Sequence, residues 1–139
     1  MIDRRDMLTT GLAGLAIAAL PRPVLAEPTA DQLIAAFTGG ATPAETGVTL
    51  TLPEMAENGF SVPVTLDAPG AAEILLFAPA NPWPQVAGFR FGALSGAQSV
   101  STRIRLARTQ EVIAIARMSN GGFARASARV EVVVGGCGA

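Results

Sequence analysis

Alternation of apolar and polar side chains between residues 47 and 134 is the feature that most restricts the fold. Val48, Leu50 and Leu52 alternate with threonines, and the same period of two returns in later segments. Such alternation is typical of strands with one buried face. It predicts seven strands, at residues 48–52, 60–66, 73–78, 86–91, 102–106, 111–118 and 123–134.

Proline and glycine mark where these strands end. Two prolines make the segment 81–84 a rigid turn, and Asn120-Gly121-Gly122 is the strongest hairpin signal in the chain. We expect segment 111–118 to pair with the segment before it, 102–106. Pro63 indicates either an edge strand or a position where no ladder donor is needed.

One short helix precedes the strands. Thr29 and Gln32 have the spacing of a capping box, Leu33, Ile34 and Phe37 share one face, and Gly39-Gly40 ends the helix. We expect this helix to lie across one edge or end of the β domain.

About seven short strands with no helices between them indicate an all-β fold, an immunoglobulin-like antiparallel β-sandwich over residues 27–134. The nearly continuous apolar run at 73–78 predicts a strand that is covered on both faces. The cysteine pair of antibody domains is absent, so a small barrel is the alternative architecture.

Residues 1–26 have the pattern of a removable export leader. Arg4-Arg5 precede the apolar segment 12–20, and Val24-Leu25-Ala26 supplies a small-residue cleavage site. This combination predicts a Tat signal and a periplasmic protein. A membrane anchor is the alternative, but the apolar segment is shorter than the roughly 20 residues that span a bilayer. We therefore expect no membrane attachment after cleavage.

The composition excludes several classes of function. The chain has a formal net charge of −1, which argues against nucleic acid as a partner. It contains no histidine, so histidine-assisted catalysis and most metal sites are excluded. We expect no cofactor and no bound metal.

The C-terminal segment 135–139 carries the one cysteine of the chain, Cys137, between Gly135, Gly136 and Gly138. Five residues reach at most about 17 Å, so the segment predicts a thiol on a short flexible arm that can enter a partner's pocket. Two alternatives are a cysteine that is buried as a small apolar residue, and a disulfide that joins two chains.

Three further groups of residues are weaker candidates. The five arginines at positions 103, 105, 108, 125 and 129 could form a basic strip, or they could be solvated residues paired across strands. Trp83 could anchor an interface or cap the core. Glu54 and Glu57 could serve acid–base chemistry, although two carboxylates near a turn are usually only solvated.

The chain resembles the SoxY family of bacterial sulfur-carrier proteins over roughly residues 30 to 139. The resemblance is carried by separated motifs in the right order, Glu57-Asn58-Gly59, Val62-Pro63-Val64, Asn81-Pro82, Ser101-Thr102-Arg103-Ile104 and Gly135-Gly136-Cys137-Gly138. The family tail usually ends in two glycines after the cysteine, whereas this chain ends Gly138-Ala139. The added methyl group should reduce the mobility of the arm slightly and its chemistry hardly at all.

The resemblance implies an immunoglobulin-like sandwich that forms a heterodimer with a SoxZ-like subunit. It implies that Cys137 holds the sulfur substrate covalently while other proteins act on it. A heme protein, SoxAX, joins thiosulfate to the cysteine, SoxB releases sulfate, and a sulfane dehydrogenase oxidises the remaining sulfur where the pathway has one. The chain itself would then be a carrier and not an enzyme.

The residues around Cys137 fit this role. Only a thiolate attacks, and no arginine lies within seven residues of Cys137 to lower the pKa of its thiol. Activation should therefore come from a partner's pocket, and the dormant thiol would form persulfide-type bonds there. Two alternative functions stay open, a thiol-dependent sulfurtransferase and an exported sandwich protein that dimerises through Cys137.

Overall fold

A computed structural model describes residue 21 and residues 26–135 of the chain. The first regular element of the described residues is helix α1, Ala30–Thr38. Both hydrogen bonds of the predicted capping box are present between Thr29 and Gln32, and Gly39 ends the helix in a left-handed conformation. No helix within the described residues is long and apolar enough to cross a membrane.

Eight strands follow the helix in the part of the chain that the structure describes. Their bounds are β1 Thr49–Thr51, β2 Met55–Asn58, β3 Val62–Asp67, β4 Ala71–Phe77, β5 Gln85–Arg90, β6 Ser99–Ile104, β7 Gln110–Met118 and β8 Phe123–Val134. Seven of them correspond to the predicted strands. The remaining strand, β2, was not predicted.

The strands form two sheets that face each other. The order is β1-β3-β6 in the three-stranded sheet and β2-β8-β7-β4-β5 in the five-stranded sheet. The core between them is built from alternate residues of the strands, including Val62, Val64, Leu66, Ile74, Leu76, Val112 and Val130. Two separate sheets confirm the predicted sandwich. The ladders between these strands are antiparallel except that of β2 with β8, which is parallel, as is the isolated bridge between Ala44 and Ala124.

Helix α1 packs on the outer face of the five-stranded sheet, not on an edge or end as expected. Ile34 contacts a second apolar cluster that contains Leu75 and Phe77 of β4 and Ile113 and Ile115 of β7. The residues of β4 therefore point alternately into the sandwich and under the helix. This explains the continuous apolar run at 73–78 and confirms that the strand is covered on both faces.

The predicted pairing of segment 102–106 with segment 111–118, which are β6 and β7 of the structure, is wrong. β6 pairs with β3, and β7 pairs with β4 and β8 in the other sheet. The connection between β6 and β7 crosses from one sheet to the other, and the side chain of Asn81 holds it there. Asn81 donates to the carbonyl oxygen of Arg105 at 2.8 Å, and its Oδ1 accepts the N–H of Ala107 at 2.9 Å.

Pro63 lies in β3, the central strand of its sheet, at a position where no ladder donor is needed. The N–H of Ala68 donates to the carbonyl of Gln98, and the antiparallel register places Pro63 opposite Arg103. Hydrogen-bonded and non-bonded pairs alternate along such a ladder, which makes Pro63 and Arg103 a non-bonded pair. On its other side, β1 pairs only as far as Thr65. The second of the two predicted explanations for this proline is therefore confirmed.

Candidate functional site

Strand β8 leads directly into the C-terminal segment and is held along its whole length. β7 pairs with β8 from Phe123 to Val130. From Glu131 to Val134, β8 pairs instead with β2, a parallel strand on its other side. On the side of β7, the N–H of Val132 donates to the hydroxyl oxygen of Thr109, the residue before β7, at 2.9 Å. The unpredicted strand β2 therefore keeps β8 extended to its last residue.

The end of β8 is fixed by the turn that follows β2. The N–H of Gly59 donates to the carbonyl oxygen of Val134 at 2.8 Å, and the carbonyl oxygen of Gly59 accepts the N–H of Leu106 at 2.8 Å. The side chain of Asn58 shapes this turn by accepting the N–H of Phe60 at 2.9 Å. We call Val134, Gly135 and this turn, residues 58–61, the arm root. It joins two parts of the chain that are far apart in sequence, and Gly59 binds it to a third at Leu106.

Exposed apolar side chains surround the arm root. Phe60 is 52% exposed, and Val133 and Val134 are 66% and 55% exposed. Val132, one residue earlier, still packs partly against the core between the sheets. A chain that leaves the sandwich at this point starts from an apolar surface that water can reach.

The fold brings two arginines close to the arm root, although both are distant from Val134 in sequence. Arg105 precedes Leu106, whose N–H is bonded to Gly59, and Arg103 donates to the hydroxyl of Ser61 at 3.3 Å. A count of positions along the chain gives no basic residue within seven of Cys137. The pairing of β3 with β6 could not be inferred from that count.

The predicted cysteine lies outside the described residues, together with Gly136 and Gly138. Gly135 is the last described residue, half-buried at the end of β8. The roles assigned to Cys137 and to the three glycines stay predictions. The leader, residues 1–26, also lies outside the described residues except for Pro21 and Ala26.

The five candidate arginines do not form one strip. Arg103 lies in β6 of the three-stranded sheet, whereas Arg125 and Arg129 lie in β8 of the other sheet. The alternative, solvated arginines paired across strands, agrees better with the structure, because Arg103 and Arg129 are exposed and Arg129 lies opposite Glu111 in the β7–β8 ladder. The two ion pairs within residues 26–135 both belong to Glu73, which binds Arg90 and Arg117.

The remaining candidates are Trp83 and the pair Glu54 and Glu57. Trp83 is 69% exposed, so it does not cap the core, and its role as an interface anchor stays a prediction. It lines a groove between β5 and β6 with a volume of about 670 Å³. Glu54 and Glu57 are both exposed, and no cluster of three or more acidic, cysteine or histidine residues that could hold a metal occurs in the described part of the chain.

The family described as "Sulfur oxidation protein SoxY" matches residues 34–137. The solved structure of the sulfur carrier protein SoxY from Chlorobium limicola f thiosulfatophilum is 37% identical, with a TM-score of 0.62, and the match covers 75% of this chain and 96% of that chain.

The sandwich also resembles proteins of a different kind. A superoxide reductase (neelaredoxin) from Ignicoccus hospitalis is 15% identical with a TM-score of 0.52, over 63% of this chain and 80% of that chain. A variant of that protein is also 15% identical, with a TM-score of 0.55, and the match covers 64% of this chain and 82% of that chain. At this identity the likeness shows the fold alone. No curated protein sequence matches the chain.

Proposed function

The chain belongs to the SoxY family of sulfur oxidation proteins, and from that premise we propose that it is a covalent sulfur carrier in thiosulfate oxidation. Cys137 holds the sulfur substrate and presents it to partner enzymes. One observation carries the proposal. The last strand is hydrogen-bonded up to Val134, and the glycine-rich segment with the only cysteine begins at the next residue.

The carrier chemistry needs only the sulfur atom of Cys137. In the loading step a bond forms between this sulfur and the outer sulfur of thiosulfate. The thiol proton leaves, and two electrons removed from the two sulfur atoms as they join pass to a heme protein of the SoxAX type. Hydrolysis by a SoxB-like enzyme then adds water to the sulfonate and releases it as sulfate. A persulfide stays on Cys137 for a sulfane dehydrogenase, where the pathway has one.

The chain supplies the attachment point, and the partners supply the catalysis. It contains no histidine and no second cysteine that could act as a base or a resolving thiol next to Cys137. A thiol without a nearby base reacts slowly in solution, which protects it from unwanted oxidation. We therefore propose a carrier protein and not a sulfurtransferase.

The organisation of the chain fits this role. We propose that residues 1–26 are a Tat signal that directs the protein to the periplasm, that residues 27–134 are the folded body, and that residues 135–139 are the arm. The boundary at 134 coincides with the end of β8. A SoxZ-like subunit is the proposed stable partner, and SoxAX, SoxB and the sulfane dehydrogenase are transient ones.

Replacement of the cysteine tests the proposal. Cys137→Ser should leave the fold and binding of the SoxZ-like subunit unchanged but abolish thiosulfate-dependent turnover in a reconstituted system. Ala139→Gly is the matched control, because it changes the same segment and keeps the thiol, and it should turn over normally. Turnover by Cys137→Ser would refute the carrier function. A doubled mass that is lost on reduction would favour the alternative of a disulfide-linked exported protein.

A further inference from the structure

The sandwich is open on one side, between the edge strands β5 and β6. Each has a strand neighbour on one side only, β4 for β5 and β3 for β6. The groove between them has a volume of about 670 Å³. One wall is lined by Trp83, Val86, Ala87 and Phe89, and the other by residues 102–105. We call it the β5–β6 groove.

Unequal sheets are the cause of this opening. The larger sheet extends to β5, but the smaller sheet ends at β6, so no strand lies opposite β5. Phe89 is paired with Ile74 of the core and faces the same way, yet it is only half-buried, as are Val86 and Ala87. A fourth strand beside β6 would cover these side chains, since facing sheets pack about 10 Å apart.

β6 offers free backbone groups for such a strand. The hydrogen bond from Ala68 to Gln98 fixes the phase of the β3–β6 ladder, so residues 98, 100, 102 and 104 bond to β3. The N–H and C=O groups of Ser99, Ser101 and Arg103 therefore point away from β3. The next group in this row, the carbonyl of Arg105, accepts from Asn81, which confirms the phase. Unpaired edge groups of this kind are templates for strand addition.

Charge decides what kind of segment fits. Arg103 and Arg105 line the β5–β6 groove, and none of its lining residues is acidic. The arginines are exposed, whereas Thr102 and Ile104 of the same wall point to the core side. An added strand would therefore meet apolar side chains on one face and arginines on the other.

We propose that an extended segment of a different protein chain adds to β6 as a fourth strand of the smaller sheet. In that segment apolar residues alternate with Asp or Glu. The apolar residues cover Phe89 and Val86 and contact Trp83, and the carboxylates lie beside Arg103 and Arg105. The inference rests on the proposed heterodimer and identifies its docking strand on this chain.

A second copy of this chain fits the groove poorly. Pairing of two β6 edges would place arginines of both copies on the same face, where like charges repel. Of the other edge strands, β1 and β2 have only three and four residues, and β5 has six but carries no acidic side chain to meet the arginines of β6. The occupant is therefore a different chain.

Substitutions in β6 test the proposal with the full-length chain and the co-expressed SoxZ-like subunit as probe. Ser101→Pro removes one outward N–H of β6, and this N–H makes no hydrogen bond to β3, so the β3–β6 ladder keeps its bonds. The substitution should weaken the complex about tenfold or more. Ser101→Ala, which loses only the 3.1 Å contact of its hydroxyl with Thr65, is the control and should bind normally. Arg103→Glu gives an independent test on an exposed residue, with Arg125→Glu on the other sheet as its control.

Amide hydrogen exchange completes the test. The amides of Ser101 and Arg103 should exchange more slowly in the complex than in the free chain. Normal binding by both Ser101→Pro and Arg103→Glu, or protection confined to other strands, would overturn this docking site while the heterodimer stands. Self-association through residues 99–105 would overturn the choice of partner. If the wild-type chain bound no SoxZ-like subunit, the proposed heterodimer would fail and this site with it.

Discussion

The N–H of Gly59 donates a 2.8 Å hydrogen bond to the carbonyl oxygen of Val134, the last residue of the last strand. This bond joins the turn after β2 to the point where the glycine-rich segment begins. A carrier must deliver its cargo from a defined position, and the arm root provides one. The distance that Cys137 can reach is then set by the residues after Val134, roughly 3.3–3.6 Å for each.

The turn at the arm root should be sensitive to loss of Asn58. Asn58→Ala removes the 2.9 Å bond to the N–H of Phe60 and should cost about 0.5–1 kcal/mol of unfolding free energy. Asn120→Ala is a matched control, because Asn120 makes the same kind of bond, also at 2.9 Å, in the β7–β8 hairpin. Both variants should lose similar stability in urea unfolding. Only Asn58→Ala should speed amide exchange at Gly59, and equal rates in the two variants would contradict our description of the root.

Loss of Asn81 should destabilise the protein more strongly. Its buried side chain donates to Arg105 and accepts from Ala107 and from Gln110 at 2.9 Å, so Asn81→Ala leaves several buried groups unpaired. We expect a loss of about 2–3 kcal/mol in urea unfolding at an unchanged slope. A loss no larger than that of Asn120→Ala would mean that Asn81 does not hold the crossing between the sheets.

The two arginines bound to Glu73 should contribute unequally. Arg117 is 2.6 Å from the buried carboxylate, is 45% exposed, and also lies 5.6 Å from the ring centre of Phe37 on α1. Arg90 is 3.2 Å away and 84% exposed. Arg117→Ala should cost about 1–2 kcal/mol and Arg90→Ala about 0.5 kcal/mol or less, because solvent screens the second pair. Thermal unfolding measures both, and equal losses would contradict this assignment.

Bulk beside the cysteine should impair enzyme processing only. Gly136→Val adds a β-branched side chain and stiffens the backbone next to Cys137. Turnover with the partner enzymes should fall about tenfold or more, while the melting temperature and the reaction with iodoacetamide stay nearly unchanged. Equal losses in the enzymatic and the small-reagent rates would mean that the glycines affect only the thiol itself.

The sequence predicted the sandwich because its strands alternate clearly, but local pattern could not predict how they pair. β2, Met55–Asn58, has neither alternating apolar residues nor β-branched side chains, and it exists through backbone pairing with β8. β7 follows β6 in sequence but lies in the other sheet, since Asn81 holds the connection across. Nothing in the sequence around Asn81 indicates that its side chain binds the backbone of Arg105 and Ala107.

The site was predicted only in part for a related reason. The isolated cysteine among glycines could be recognised from the sequence alone. The exposure of Trp83 and the outward groups of β6 depend on which strands end each sheet. Glu73 looked like an exception in an apolar run, and its two arginine partners lie 17 and 44 residues away. Long-range pairing of this kind has no local signature.

Intact-mass measurement of the chain purified from thiosulfate-grown cells tests the carrier function most directly. Three proteins should be compared, the wild type, Cys137→Ser, and Cys137→Ser combined with Ser119→Cys, which moves the thiol to the exposed β7–β8 turn. The carrier function predicts sulfur-containing adducts on Cys137 of the wild type, released by reductant, and none on either variant. An unmodified wild-type thiol, or equal loading of the thiol at position 119, would contradict it.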